Sequence, residues 1–102
     1  MRKLAAVLLI VVAVGMYADN GKLAGSYAGP DASYGLVLEV APDGSLRGNY
    51  VESGHVAVLS GIEVKGSAFT ARASFDNGSL RMLSGSVTSR GIRIADTFFE
   101  RM

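Results

Sequence analysis

The chain holds a single histidine, His55, two residues after Ser53 and three after Glu52. An imidazole beside a hydroxyl and a carboxylate is the raw material of general acid–base chemistry, and histidine is also a common metal ligand. Yet Glu52-Ser53-Gly54 reads as a hairpin turn, and no second histidine exists to complete a metal site. The plainer reading, an exposed turn residue, is therefore preferred. Asp43, Asp76 and Asn77 could offer oxygen ligands to calcium, but each stands in a turn where Asx residues are expected, and EF-hand spacing is absent. The chain has no cysteine, which excludes a disulfide framework, thiolate catalysis and thiolate metal sites. These residues predict a protein that is not an enzyme and has no metal site or cofactor.

Three side chains remain as candidates for ligand binding. Tyr27, Tyr34 and Tyr50 combine apolar area with a hydroxyl, and the spacing predicts that they share one end of the fold. The alternative is that they are amphipathic residues at the edge of the core. Arg47, Arg72, Arg81, Arg90 and Arg93 could line a face that receives an acidic group. More simply, they form the solvated side of strands and pair with acids such as Glu39 and Glu63.

The elements that position these residues are strands. Asp43-Gly44 and Asp76-Asn77-Gly78 are hairpin signals, because glycine accepts the positive φ that such turns need. Strands are predicted over Leu23 to Ala28, Tyr34 to Val40, Leu46 to Val51, His55 to Lys65 (bent at Gly61), Ala68 to Phe75, Leu80 to Val87 and Ile92 to Arg101. Leu36, Leu38 and Val40 alternate with Val37 and Glu39, and Phe69, Ala71, Ala73 and Phe75 alternate with Thr70, Arg72 and Ser74. Leu80 and Leu83 fall on opposite faces, which predicts a bulge near Met82. An L-x-G triplet recurs at Gly25, Gly48, Gly61 and Gly85; strand glycines mark bends or close backbone approach. Short strands with turns every 8–12 residues predict an all-β fold: a small antiparallel up-and-down barrel or strongly curled sheet of seven to eight strands.

Val37 and Val51 are apolar residues on the apparent polar face. Phe98 and Phe99 are adjacent in a strand, so one points inward and the other outward. Val37, Val51 and Phe99 are grouped as a candidate outer patch for self-association or a partner.

Residues 1–18 predict an export signal, followed by one barrel-like domain over 19–102. Arg2 and Lys3 precede an unbroken apolar run from Leu4 to Val14, with cleavage expected after Gly15 or Ala18. Counted through Met16 the run has about 13 residues, short of the ~20 that span a bilayer. Arg2 and Lys3 are two of the ten cations; the eight that remain face nine acids. A near-neutral domain without a Lys/Arg run argues against nucleic acid. An exported chain without disulfides suits a bacterial periplasm or secretion, with no membrane attachment after cleavage. A domain this small has a marginal core, and homo-oligomerisation would add burial.

Gly25-Ser26-Tyr27, Leu36-Val37-Leu38, Asp43-Gly44 and Gly48-Asn49-Tyr50 resemble the first half of an avidin/streptavidin-type barrel, over Leu23 to Val64. The wider calycin-type barrels share this grammar. The resemblance implies an architecture. It does not imply biotin binding, since the family grips biotin with tryptophans and this chain has none. The expected function is an exported binding or interaction module for a small apolar ligand or a protein. An inhibitor of an extracytoplasmic enzyme, acting through the loop Gly29 to Ser33, is the alternative, and a hydrolase using His55 ranks last.

Overall fold

The computed structural model describes residues 21–102. The predicted export signal, both cleavage positions and Asp19-Asn20 lie outside the described residues. Eight antiparallel strands run in chain order and close into a barrel, with β1 returning to β8. They are β1 (Gly25–Ala28), β2 (Gly35–Val40), β3 (Leu46–Glu52), β4 (His55–Lys65), β5 (Ala68–Phe75), β6 (Leu80–Thr88), β7 (Gly91–Ile94) and β8 (Thr97–Arg101). Tight turns allow only antiparallel neighbours, which dictates the up-and-down order.

The prediction differs from the structure at both ends. Leu23 is helical, and β1 begins at Gly25. The segment predicted as one strand from Ile92 to Arg101 folds into a hairpin about Ala95-Asp96, where Ala95 takes a φ of 52°.

Two hairpins repeat one piece of turn chemistry. In Ala41–Ser45, the Gly44 N–H donates to the Ala41 carbonyl at 2.8 Å, and Asp43 Oδ1 accepts from the Ser45 N–H at 3.0 Å and its hydroxyl at 2.6 Å. In Phe75–Ser79, the Gly78 N–H donates to the Phe75 carbonyl at 3.0 Å, and Asn77 Oδ1 accepts from the Ser79 N–H at 2.9 Å and its hydroxyl at 2.6 Å. Asp43 and Asn77 thus spend an oxygen on their own turns, as Asx residues do. Donation from the Ser45 hydroxyl and N–H holds the Asp43 carboxyl below its usual range.

The interior is filled by the chain's own side chains. Tyr27, Leu36, Leu38, Tyr50, Leu59, Phe69, Leu83, Ile92, Ile94 and Phe99 are buried, and among the described residues no polar or charged side chain other than the tyrosines is. Small and large residues alternate around the barrel. Gly48 lies between Leu38 and Leu59, and Gly85 between Phe69 and Ile94. A Cβ on Gly48 would strike the Val37 carbonyl oxygen, and one on Gly85 would strike that of Arg93. At these two L-x-G sites, close backbone approach is what requires glycine.

The predicted bend at Gly61 is a bulge. Pairing steps from Ser60↔Arg72 to Glu63↔Thr70, so Gly61 and Ile62 together oppose Ala71. The extra residue switches faces: Ala57 and Leu59 point inward before it, and Ile62 and Val64 pack against the core after it. The bulge predicted near Met82 is absent, because β5 and β6 pair without a register shift from Ala68↔Ser86 to Ser74↔Leu80. The pattern at Leu80 and Leu83 has another cause: Leu83 is in the core, and Leu80 is simply on the outside, 68% exposed.

Candidate functional site

One end of the barrel carries the β1–β2 loop and the β3–β4, β5–β6 and β7–β8 turns. Its rim is firmly bonded. The Gly54 N–H donates to the Ser33 carbonyl at 3.0 Å, and the Tyr34 and Ser53 hydroxyls lie 3.0 Å apart. Within the loop, Asp31 Oδ1 accepts from the Ser33 N–H at 2.8 Å, and this bonding to Ser33 lowers the Asp31 carboxyl's pKa.

Inside this rim, β3 and β6 place a chain of polar groups over the core. Tyr50 and Glu52 are two apart in β3 and so share the inward face. The Tyr50 hydroxyl donates to Glu52 Oε1 at 2.9 Å, and Arg81 Nη2 donates to Glu52 Oε2 at 2.6 Å. The Arg81 guanidinium lies 5.0 Å from the centroid of Phe75, and the Tyr50 ring meets Phe75 edge-on at 6.3 Å. Burial, reinforced by Glu52, pushes the Tyr50 hydroxyl pKa well above its usual value. Burial would raise the Glu52 carboxyl, but the bonds from Arg81 and Tyr50 outweigh it and the net shift is downward. Glu52 raises Arg81 in turn.

A group held below its ordinary carboxyl value of 4.5 stabilises the fold above that pH, and the contribution disappears as pH falls through the folded-state value. Glu52→Gln is therefore expected to cost about 1 kcal/mol at pH 7 after solvent screening, and the difference from wild type should shrink as pH falls below 4.5 and through the lowered folded-state value. Urea midpoints of both proteins from pH 7 to pH 3 measure this. A gap that stays constant across the range would show that Glu52 carries no linked proton.

Arg81 and Glu52 separate two recesses. The smaller, about 130 Å³, is lined by His55, Phe75, Asn77 and Ser79. The larger, about 240 Å³, opens through the wall where β6 runs past the β7–β8 hairpin, and has Tyr50, Leu83 and Ile94 among its lining residues. His55 Nδ1 lies 3.8 Å from Asp76 Oδ1, and both side chains are more than half exposed. The Ser79 hydroxyl donates to Asn77, and that of Ser53 is shared with Tyr34. Neither of these serines is hydrogen-bonded to His55.

The three candidate tyrosines do not share one end. The Cα positions of Tyr27 and Tyr50 do align, since Tyr27 pairs with Leu36 and Leu36 with Tyr50. Their hydroxyls point opposite ways. That of Tyr27 donates to the Leu23 carbonyl at 2.6 Å and accepts from Arg101 Nη2 at 3.0 Å, at the far end. Burial raises its pKa, with Arg101 opposing. Tyr27 and Tyr50 are each only 2% exposed, whereas Tyr34 is half-buried on the rim.

The three residues grouped as an outer patch do not share one face. Val37 is outside at 45% exposure and Val51 is half-buried, but Phe99 is fully buried. The pairing Ile92↔Phe99 turns Phe99 into the core, where its ring lies 5.6 Å from that of Tyr50. Phe98 takes the outward position, with the Arg93 guanidinium 5.7 Å from its ring. Val56, Val58, Leu80 and Met82 are exposed as well. Cross-strand pairing sets Val37, Asn49, Val58, Ser74 and Leu80 in one row across β2–β6.

Two of the predicted solvent-side pairings have clear outcomes. Arg47 Nε meets Glu39 Oε1 at 2.8 Å, while Glu63 lies 3.8 Å from Lys65. Arg81 departs from the solvated set, and sequence reasoning missed its union with Glu52. The available signal was Glu52 itself, a carboxylate on the inward face of β3 that needs a cation. Comparison with protein families, characterised proteins and solved structures finds no match to this chain.

Proposed function

We propose that the chain is an exported binding module that docks a protein partner on the outer face of β4–β6 and the adjoining mouth. One observation carries this reading: the interior is occupied by the chain's own side chains, while Val58, Leu80 and Met82, 60%, 68% and 63% exposed, are displayed outside. Large apolar side chains left exposed on an outer face favour a macromolecular contact. The row that holds Val58 and Leu80 alternates apolar and polar residues, with Asn49 and Ser74 between Val37, Val58 and Leu80. The basic n-region and apolar run at the start of the chain support export. The closed up-and-down barrel supports a calycin-type likeness in architecture alone. Inhibition of an extracytoplasmic enzyme is a special case of the same reading, favoured by the bonded rim loop Gly29 to Ser33.

Panning a phage-displayed random peptide library against the purified protein tests it. Enriched peptides are expected to bind wild type and to lose about tenfold in affinity on Leu80→Ser, an exposed change that leaves the melting temperature in place. In parallel, a panel of small apolar compounds is expected to leave the melting temperature unmoved. Stabilisation by such compounds together with no enriched peptide would reverse the assignment in favour of a small ligand.

A further inference from the structure

Resting on that reading, the geometry points to strand addition as the way the partner binds: an extended apolar segment pairs with the open edge of β6 at Leu80 to Leu83. Pairing between β6 and β7 begins only at Gly85↔Ile94 and runs to Thr88↔Gly91. β6 itself begins five residues before Gly85, at Leu80. Across that stretch it is paired to β5 on one side, and no described strand pairs with it on the other.

The direction of the backbone groups follows from alternation. The Phe75 N–H donates to the Ser79 carbonyl at 2.8 Å, and the Val87 N–H to the Ser67 carbonyl at 2.7 Å. In an antiparallel ladder every second pair exchanges these bonds. Arg81 and Leu83 therefore turn their backbone groups toward β5, and Leu80, Met82 and Ser84 turn theirs toward the open side. The Ala95 N–H confirms the phase, since it reaches the Ser84 carbonyl at 3.2 Å. Past that contact the β7–β8 turn leads away, and the N–H and carbonyl groups of Leu80 and Met82 stand at the edge. Unpaired edges of this kind are templates for another strand.

The surroundings specify the occupant. Side chains of an added strand alternate between two faces. Those pointing inward would enter the 240 Å³ recess over Tyr50, Leu83 and Ile94. Those pointing outward would lie beside Leu80 and Met82. The charged pair that lines the recess, Arg81 with Glu52, is mutually neutralised. The fitting segment thus carries aliphatic residues on the face that enters the recess. Four residues of edge give a strand contact of roughly 13 Å at about 3.3 Å per residue.

Amide hydrogen exchange followed by NMR on the purified protein tests the edge without any partner. The Leu80 and Met82 amides are expected to exchange at least about a hundredfold faster than those of Arg81 and Leu83. Equal protection at all four positions would overturn the proposal. Peptides enriched from the phage library provide the second measurement. Met82→Pro removes an edge donor without taking a bond from the β5 ladder, a position where proline is tolerated. It is expected to weaken peptide binding about tenfold or more, and Met82→Leu to leave it within about threefold. Peptides that bind Met82→Pro as well as wild type, yet lose affinity on Leu80→Ser, would overturn strand addition and leave the docking face standing. A library that yields no binder would overturn both.

Discussion

Phe99→Ala is expected to cost about 3–5 kcal/mol, the range for removing a buried aromatic ring. The ring is fully buried, 5.6 Å from that of Tyr50, and on the strand that closes the barrel. A domain of this size has roughly 4–12 kcal/mol of stability in total, so the variant sits at the edge of unfolding. Phe98→Ala, one residue away, removes an outward ring held by Arg93 and is expected to cost about 1 kcal/mol. Urea unfolding of both variants measures the contrast, with m-values checked for a common two-state transition. Equal losses would mean that β8 does not present alternate faces to core and solvent.

Gly85→Ala is expected to cost about 3 kcal/mol, the upper part of the range for overpacking. The added methyl would meet the Arg93 carbonyl and the Ile94 backbone, neither of which can rotate away. Relief requires β6 and β7 to separate where they begin to pair. Gly35→Ala is the matched control. It lies in β2, its Cβ would meet nothing within 4 Å, and its φ lies outside the left-handed region. Reduced entropy of the unfolded chain is then expected to stabilise by about 0.5 kcal/mol. Opposite signs for one chemical change, read as melting temperatures, separate close approach from intrinsic glycine effects. A destabilisation of similar size at both sites would contradict the close-approach explanation.

The strands were legible in the sequence because their signals are local. Asp43-Gly44 and Asn77-Gly78 announce hairpins through φ and Asx chemistry, and the alternation of Phe69, Ala71 and Ala73 follows the pleat. Gly61 marks a bend, and its bulge accounts for inward Ile62 and Val64. The choice between Phe98 and Phe99 was not legible, since periodicity gives two faces without saying which is inside. Only the register against Ile92 decides it. The same limit hid the fate of the tyrosines. Tyr27 and Tyr50 lie in one cross-strand row, and the direction of each hydroxyl depends on whether Leu23 or Glu52 receives it. The open edge of β6 was invisible for a different reason. It arises from a mismatch between the lengths of β6 and β7, and that mismatch is set by the turn at Ala95, whose left-handed φ no glycine or asparagine marks.

The outer face of this barrel and the recess beside β6, not the packed core beneath them, are where a partner is expected to dock. Methyl chemical-shift mapping with an enriched peptide tests that most directly. The account predicts shifts concentrated at Val58, Leu80 and Met82, with the buried methyls of Leu38, Leu59 and Ile92 undisturbed. Perturbation of those three interior residues, with the outer methyls silent, would contradict it.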